Sequence, residues 1–221
     1  MFHHSVDNVI FGCREGDLEI CLIQHADGPA EGQWGLPGDF IQANESLEDA
    51  AIRTLRTRTG IDDIFLEQFK TFGSLDRYPS ERVITTGYFA LIRPQDYEAV
   101  AGAHELDAAW FPVTSLPDLM YDHGEILQTG LACLKRKIRH EPIGFSLLSK
   151  KFTLLELQRL YEAILNKPLN KPNFRRKMLH MKLLIDCNEK QVGAAHRAAQ
   201  LYRFDAEEYK QLQEKGFVFE F

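Results

Sequence analysis

Apolar positions change period several times along the first 140 residues. Short apolar runs at Val9–Cys13 and Leu18–Gln24 flank the turn-forming Glu15-Gly16-Asp17, which predicts a β-hairpin. A Gly/Pro-rich stretch, GPAEGQWGLPGD over 28–39, predicts a loop. The period then lengthens. Leu47, Ala50, Ala51 and Leu55 recur at helical spacing, Ser46 and Asp49 have the separation of a capping box, and Gly60 is a natural stop. These predict a helix over about 46–59. Strand-like segments follow near 64–74, 83–93 and 107–113, and Ile126, Leu127, Leu131, Leu134 and Ile138 predict a second helix over 123–139.

The pattern changes after EPIGF (141–145), which reads as a linker. Thr153 and Glu156 have capping-box spacing, and Phe152 can staple onto Leu157 at the start of a helix reaching about Leu165. NKPLNKPNF makes a turn into a helix over 171–182, with Phe174, Met178 and Met181 on one face and Asn173, Arg176 and His180 on another. Strands at 183–187 and 200–204 follow, separated by the polar run NEKQVGAAHRAA. Helix, turn, basic helix and β-hairpin describe a winged helix-turn-helix, in which Leu160 and Tyr161 are core. The expected organisation is an α+β domain over 1–143 and a winged-helix domain over 144–221.

Charge divides at nearly the same place. Residues 1–149 carry 23 acids against 12 bases, whereas 150–221 carry 14 bases against 9 acids, for −6 overall. A basic terminal domain on an acidic body favours nucleic acid as a partner, a solvated basic face being the plainer explanation. No apolar run approaches ~18 residues, and MFHHSVDN lacks the pattern of a secretory signal, so neither a membrane span nor a signal peptide is expected. Cys13, Cys21, Cys133 and Cys187 are scattered without a CxxC pair. Reduced thiols in a cytoplasmic protein are expected, with no metal site.

The helix over 46–59 ends in RTLRTRTG (53–60), three arginines and three threonines without an acid. Its surroundings explain the oddity. From Asp39 to Ile61 the chain resembles the Nudix box, G-x5-E-x7-R-E-U-x-E-E-x-G-U with U apolar, preceded by the usual WGLPG approach (34–38). Glu45, Arg53, Leu55, Gly60 and Ile61 match it; Asp39 replaces the glycine, and Thr54, Thr57 and Arg58 replace three glutamates. The resemblance implies an α/β/α sandwich with a mixed sheet. It also implies a site where carboxylates hold a divalent metal against a diphosphate. Hydroxyls are poor substitutes for those hard anionic ligands and an arginine repels the ion, so hydrolysis through this box is expected to be absent or vestigial, with no catalytic residue, metal or cofactor. Asp39 suggests a left-handed or rearranged turn.

IGFSLLSKKFTLLELQRLYEAILNKPLNKPNFRRKML and the later AAQLYRFD resemble the C-terminal domain of the Nudix-related transcriptional regulators. That family implies a bacterial repressor, homodimeric through its Nudix-like domain on a palindromic double-stranded operator, responding to ADP-ribose or a sugar in NAD or sugar metabolism. Asn173, Arg176 and His180 suit base-edge or phosphate contact, with Arg175 and Lys177 flanking them and Lys190, His196 and Arg197 in the wing. SLDRYPSERVITTGYFAL (74–91) resembles the strand-loop-strand of ADP-ribose-type Nudix domains, whose D-R-x-P-x-x-R pattern is matched by Asp76, Arg77 and Arg82. These arginines suit a diphosphate or sugar hydroxyls, or else salt bridges. His123 can cap its helix or touch ligand, and Trp34 can stack on a base or pack on the box loop. Arg58 can pair with Glu45 in place of the metal, or meet a ligand phosphate. Two other functions remain open: a pyrophosphohydrolase using Glu48, Asp49 or Glu81, and a basic domain that binds protein.

Overall fold

The structure, a computed structural model, describes residues 3–14, 16–192 and 198–221. Contacts divide the chain into two compact units, one holding residues up to Arg14 together with Leu18–Cys133, the other Leu134–Phe221 together with residues 15–17.

The first unit is built on seven strands: β1 (His3–Arg14), β2 (Asp17–His25), β3 (Trp34–Gly35), β4 (Gly38–Phe40), β5 (Glu67–Phe72), β6 (Val83–Ile92) and β7 (Glu105–Pro112). Their order is β3-β2-β1-β6-β5, with β4 on β1 and β7 on β2. β1 and β6 run parallel, whereas β4, β3, β7 and β5 pair antiparallel with their neighbours, so the sheet is mixed. Alternation along β1 separates its two faces. Val6 packs with Ala50 and Ala51 of α1 (Leu47–Thr59), and Ile10 packs with Leu55. Asn8 points the same way and donates its Nδ2 proton to the Ala51 carbonyl at 3.1 Å. On the opposite face Val9 meets Gly130 of α2 (His123–His140), where the absent side chain admits the valine methyls.

α1 forms half of its expected capping box. The Ser46 hydroxyl accepts the Asp49 N–H at 3.1 Å, but Asp49 takes the serine's own hydroxyl proton at 2.8 Å rather than its backbone N–H. Gly60 closes the helix at φ 70°, the left-handed conformation that glycine adopts without a Cβ clash.

The second unit holds a three-stranded sheet, β8 (Phe152–Thr153), β10 (Gln200–Phe204) and β9 (Leu184–Lys190), in the order β8-β10-β9. α3 (Leu154–Leu165) has a complete capping box: Thr153 Oγ1 accepts the Glu156 N–H at 3.1 Å, and Glu156 Oε2 accepts the Thr153 N–H at 2.6 Å. α4 (Lys171–His180) is capped by the Asn170 side chain and buries Phe174 and Met178, each worth roughly 1.5–3 kcal/mol. It stops before 182 because Lys182 turns left-handed at φ 58°, leaving Met181 half-buried at its end. β9 extends three residues beyond 187, and α5 (Ala206–Glu214), which buries no residue, has no apolar period in the sequence to announce it. Among the described residues no helix is long and apolar enough to cross a membrane.

Candidate ligand cavity and nucleic-acid interface

The loop between β4 and α1 is tied to the helix by one guanidinium. Arg53 Nε and Nη2 donate to Glu45 Oε2 and Oε1 at 2.8 and 2.7 Å, Nη1 donates to Asp39 Oδ2 at 2.9 Å, and Nη2 also reaches the Phe40 carbonyl at 2.9 Å. The Gln42 N–H adds a further bond to Glu45 Oε1 at 2.7 Å. Arg53 foremost, and then that N–H, hold the Glu45 carboxyl down at about 2. Charge-assisted bidentate pairing of this kind fixes geometry as well as charge.

Arg58 is not the partner of Glu45. Its Nη1 donates to Glu105 Oε1 at 2.5 Å, and its Nη2 lies 3.4 Å from Asp39 Oδ1. Glu45 is already bound by two N–H groups of Arg53, five residues earlier in the helix, and Arg58 pairs instead with Glu105 and Asp39. Asp39 thus bridges both guanidiniums from an extended strand paired with Val6, and it is absent from the positive-φ residues. The expectation of a left-handed turn at Asp39 is corrected: the strand ladder, not the side chain, sets its backbone.

The remaining box substitutions do not share one presented face. Thr54 is fully buried with an unpartnered hydroxyl, and Thr57 donates its hydroxyl to the Thr54 carbonyl at 3.2 Å. A divalent cation therefore meets an acid whose oxygens are already bonded, a threonine turned to its own backbone, and a cation. Among the described residues no group of three or more His, Cys, Asp or Glu side chains could hold a metal ion. The donor set does not fit the metal that the box resemblance implies.

Beside this loop lies a cavity of about 550 Å³ whose lining includes Asp7, His25, Asp39, Arg58, Arg77, Tyr78, Tyr121 and His123. Its floor is a buried network. Arg77 Nε and Nη2 donate to the two Asp122 oxygens at 2.8 and 2.9 Å, and Nη2 lies 3.5 Å from Asp7 Oδ2. Thr85 Oγ1 donates to the same Asp7 oxygen at 2.7 Å. His123 Nδ1 accepts the Leu36 N–H at 2.9 Å, so a neutral ring carries its proton on Nε2, 3.7 Å from Asp7 Oδ1. Burial above all lowers the His123 pKa and holds the ring neutral, although Asp7 and Asp122 pull the other way. His25 is lowered first by burial and then by the charge of Arg58. Tyr121 adopts φ 49°, a sparsely populated conformation for a bulky residue, and its ring centroid lies 5.0 Å from that of Tyr78. Glycines let backbone approach the network: a Cβ at Gly38 would overlap Asp7 Oδ1, and one at Gly35 would lie 2.9 Å from His123 Nδ1.

Of the ligand residues named from sequence, Arg58, Arg77 and His123 line the cavity. The other three stand outside its lining. Trp34 packs edge-on against Phe111 at 4.7 Å. Arg82 donates to the Ser74 carbonyl at 2.6 Å, and Asp76 accepts the Ser74 hydroxyl proton at 2.8 Å, closing the loop that presents Arg77 and Tyr78. The alternative carboxylates are occupied elsewhere: Glu48 near the Tyr88 hydroxyl at 3.4 Å, Asp49 on Ser46, and Glu81 on His3 at 3.1 Å. Asp7 escaped the sequence reading because it precedes the apolar run Val9–Cys13, and only the structure shows it buried within β1. Glu105, Tyr78 and Tyr121 have no mark in the sequence either.

On the second unit α4 presents Lys171, Asn173, Arg175, Arg176, Lys177 and His180 to solvent, with no acid along its ten residues. Asn173 Oδ1 accepts Arg176 Nη2 at 3.0 Å, which holds the two side chains together. Lys190 is exposed at the end of β9, whereas His196 and Arg197 lie outside the described residues. A basic, acid-free surface on the second helix of a helix-turn-helix, flanked by a three-stranded sheet, is the geometry that enters a DNA groove.

A mixed sheet carrying a box-like loop and helix, followed by a winged helix, defines a Nudix-type protein with a DNA-binding architecture attached. Residues 1–129 match the NUDIX domain family, and residues 144–204 match the NrtR DNA-binding winged helix domain. The chain belongs to the Nudix-related transcriptional regulators of the NrtR family. It is 36% identical to the ADPR responsive transcriptional repressor NtrR of Acinetobacter baylyi, across 93% of this chain and 83% of that one. Shewanella oneidensis NrtR complexed with a 27mer DNA superposes with a TM-score of 0.76 at 33% identity, covering 90% of this chain and 92% of the other. The NUDIX domain of that Shewanella protein complexed with ADP ribose gives 0.55 at 31% identity, covering 61% and 89%.

Proposed function

We propose that this protein is a cytoplasmic transcriptional repressor that binds operator DNA through residues 144–221 and senses ADP-ribose, or a close nucleotide relative, through residues 1–143 without hydrolysing it. The observation that carries this is the state of the box. Glu45 is engaged by the Arg53 guanidinium through two bonds, and Arg58 stands where a metal-binding carboxylate belongs, so a ligand can persist as a signal. Arg58, Arg77 and His123 are the ligand contacts, with Asp76 and Arg82 shaping the loop that presents Arg77, and Trp34 packed on Phe111 outside the cavity lining. Asn173, Arg175, Arg176, Lys177 and His180 meet the duplex, with Lys190, His196 and Arg197 at its flank. A homodimer formed through the Nudix-like domain presents two such helices to a palindrome.

Both cavity arginines are already paired with carboxylates. A diphosphate must compete for donors that Glu105, Asp39, Asp122 and Asp7 leave open, which favours a moderate, reversible affinity suited to a sensor. Fluorescence anisotropy on a palindromic duplex, titrated with salt and then with ADP-ribose, tests the proposal, with chromatography for AMP in the presence of magnesium. Expected are a steep salt dependence, a change in duplex affinity with ADP-ribose, and no AMP. Turnover near ~1 s⁻¹ would make the protein an enzyme, and a response to a sugar in place of ADP-ribose would reassign the effector.

A further inference from the structure

The run FVFEF (217–221) lies beyond residues 144–204, which match the winged-helix family. After α5, Gly216 at φ 86° and a bond from the Phe217 N–H to the Leu212 carbonyl at 2.9 Å reverse the chain. The returning residues then alternate: Val218 and Glu220 are exposed, Phe219 is 2% exposed, and Phe217 and Phe221 are half-buried. The Phe221 N–H is anchored on the Arg139 carbonyl at 2.8 Å. Its ring stands edge-on to Tyr161 of α3 (4.5 Å, 66°) and to Phe174 of α4 (5.5 Å, 69°), which themselves meet at 5.6 Å. Lys177, one turn beyond Phe174, places its Nζ 5.5 Å over the same ring.

We propose that FVFEF positions the DNA-reading helix, Phe221 setting the seat of α4 and its ring face holding the Lys177 ammonium where it meets a phosphate. The proposal rests on the DNA-binding reading above. α4 is ten residues long and buries only Phe174 and Met178. A helix that short takes its pose from what packs beneath it rather than from its own propensity. Phe174 on the inner face and Lys177 at the outer edge both rest on one ring, so that ring relates the depth of the helix to the placement of a cation. The buried Phe219 secures the segment two residues earlier.

The test uses the full chain and a palindromic operator duplex, with affinity measured across a salt series for wild type, F221A, F221L, K177A and K177A/F221L. Thermal melts and ADP-ribose binding monitor folding. Leucine retains an apolar plug but removes the ring face. F221L is expected to keep the wild-type melt, to weaken operator binding about 2–5-fold, and to shallow the salt slope by about one unit per protomer. K177A should shallow the slope equally, and K177A/F221L should shallow it no further. F221A is expected to weaken binding at least about tenfold while ADP-ribose binding persists. A wild-type affinity and slope in F221L overturns the proposal, even if F221A unfolds, because the segment is then only structural. Additive slopes in the double variant also overturn it. If wild type binds no duplex, the DNA-binding reading falls and this proposal with it; wild-type binding with an unaltered F221L removes this proposal alone.

Discussion

Truncating Arg58 to alanine should destabilise the Nudix-like domain by about 3 kcal/mol, the lower end of the range for removing one partner of a buried ion pair. The Glu105 side chain is 0% exposed and that of Arg58 17%, and Glu105 Oε2 already lacks a partner, so its carboxylate depends on the 2.5 Å bond from Arg58 Nη1. Two unit charges ~4 Å apart attract by about 4 kcal/mol at an effective dielectric near 20, an attraction largely offset by desolvation while the pair is intact. Without Arg58 the desolvation cost of Glu105 stands alone. The loss of the 3.4 Å contact to Asp39, which is 30% exposed, adds little by comparison. For a chain of this size ~3 kcal/mol corresponds to a fall of roughly 6–12 °C in melting temperature. R58A and R58M/E105L melts at pH 7.5 check the reasoning. R58M/E105L should lie within about 1 kcal/mol of wild type because it buries no charge. An R58A melt indistinguishable from wild type at pH 7.5 would refute the assignment of Glu105 as a dependent buried charge.

Three further outcomes follow from the cavity. D122N removes the carboxylate that receives two Arg77 protons, leaving Asp7 at 3.5 Å, and should cost about 3 kcal/mol in urea titrations; an unchanged midpoint would mean that Asp7 suffices. G38A drives a Cβ into Asp7 Oδ1 and crowds the Val6 carbonyl at 3.1 Å, so ADP-ribose binding by calorimetry should fall at least about tenfold, and full retention would place the ligand elsewhere. Stability should also fall with pH. The His123 and His25 pKa values are lowered below 6.5 in the folded chain, so the unfolded chain gains protons first. Stability is fully present above about pH 6.5 and declines as pH drops through that value. Glu45, held at about 2 against an ordinary 4.5, adds a second loss below pH 4.5. Urea midpoints of wild type and H123Q between pH 7.5 and 5 should converge as the pH falls, and parallel curves would remove His123 from the first decline.

Much of the architecture was legible because it depends on local pattern. The apolar runs of β1, β2 and β6, the Thr153–Glu156 capping box and the stop at Gly60 each involve residues close in sequence, where apolar pattern, cap chemistry and backbone conformation act directly. The box register is legible for the same reason: Glu45 and Arg53 are eight residues apart, and they meet. β3, β4 and α5 were not legible, since two strands of two and three residues are set by neighbouring strands and α5 buries nothing.

By itself, then, the sequence determined that a Nudix-like helix had lost three acids and that a basic helix followed in a winged-helix setting. Only the tertiary structure decided what became of the charges. Arg58 chose Glu105, 47 positions away, and Asp39, on a strand whose backbone is held by β1, over the nearby Glu45. Arg77 found Asp122 and Asp7, 45 and 70 positions away. Guanidinium pairing is governed by which carboxylates folding buries within reach, and sequence distance carries no record of that.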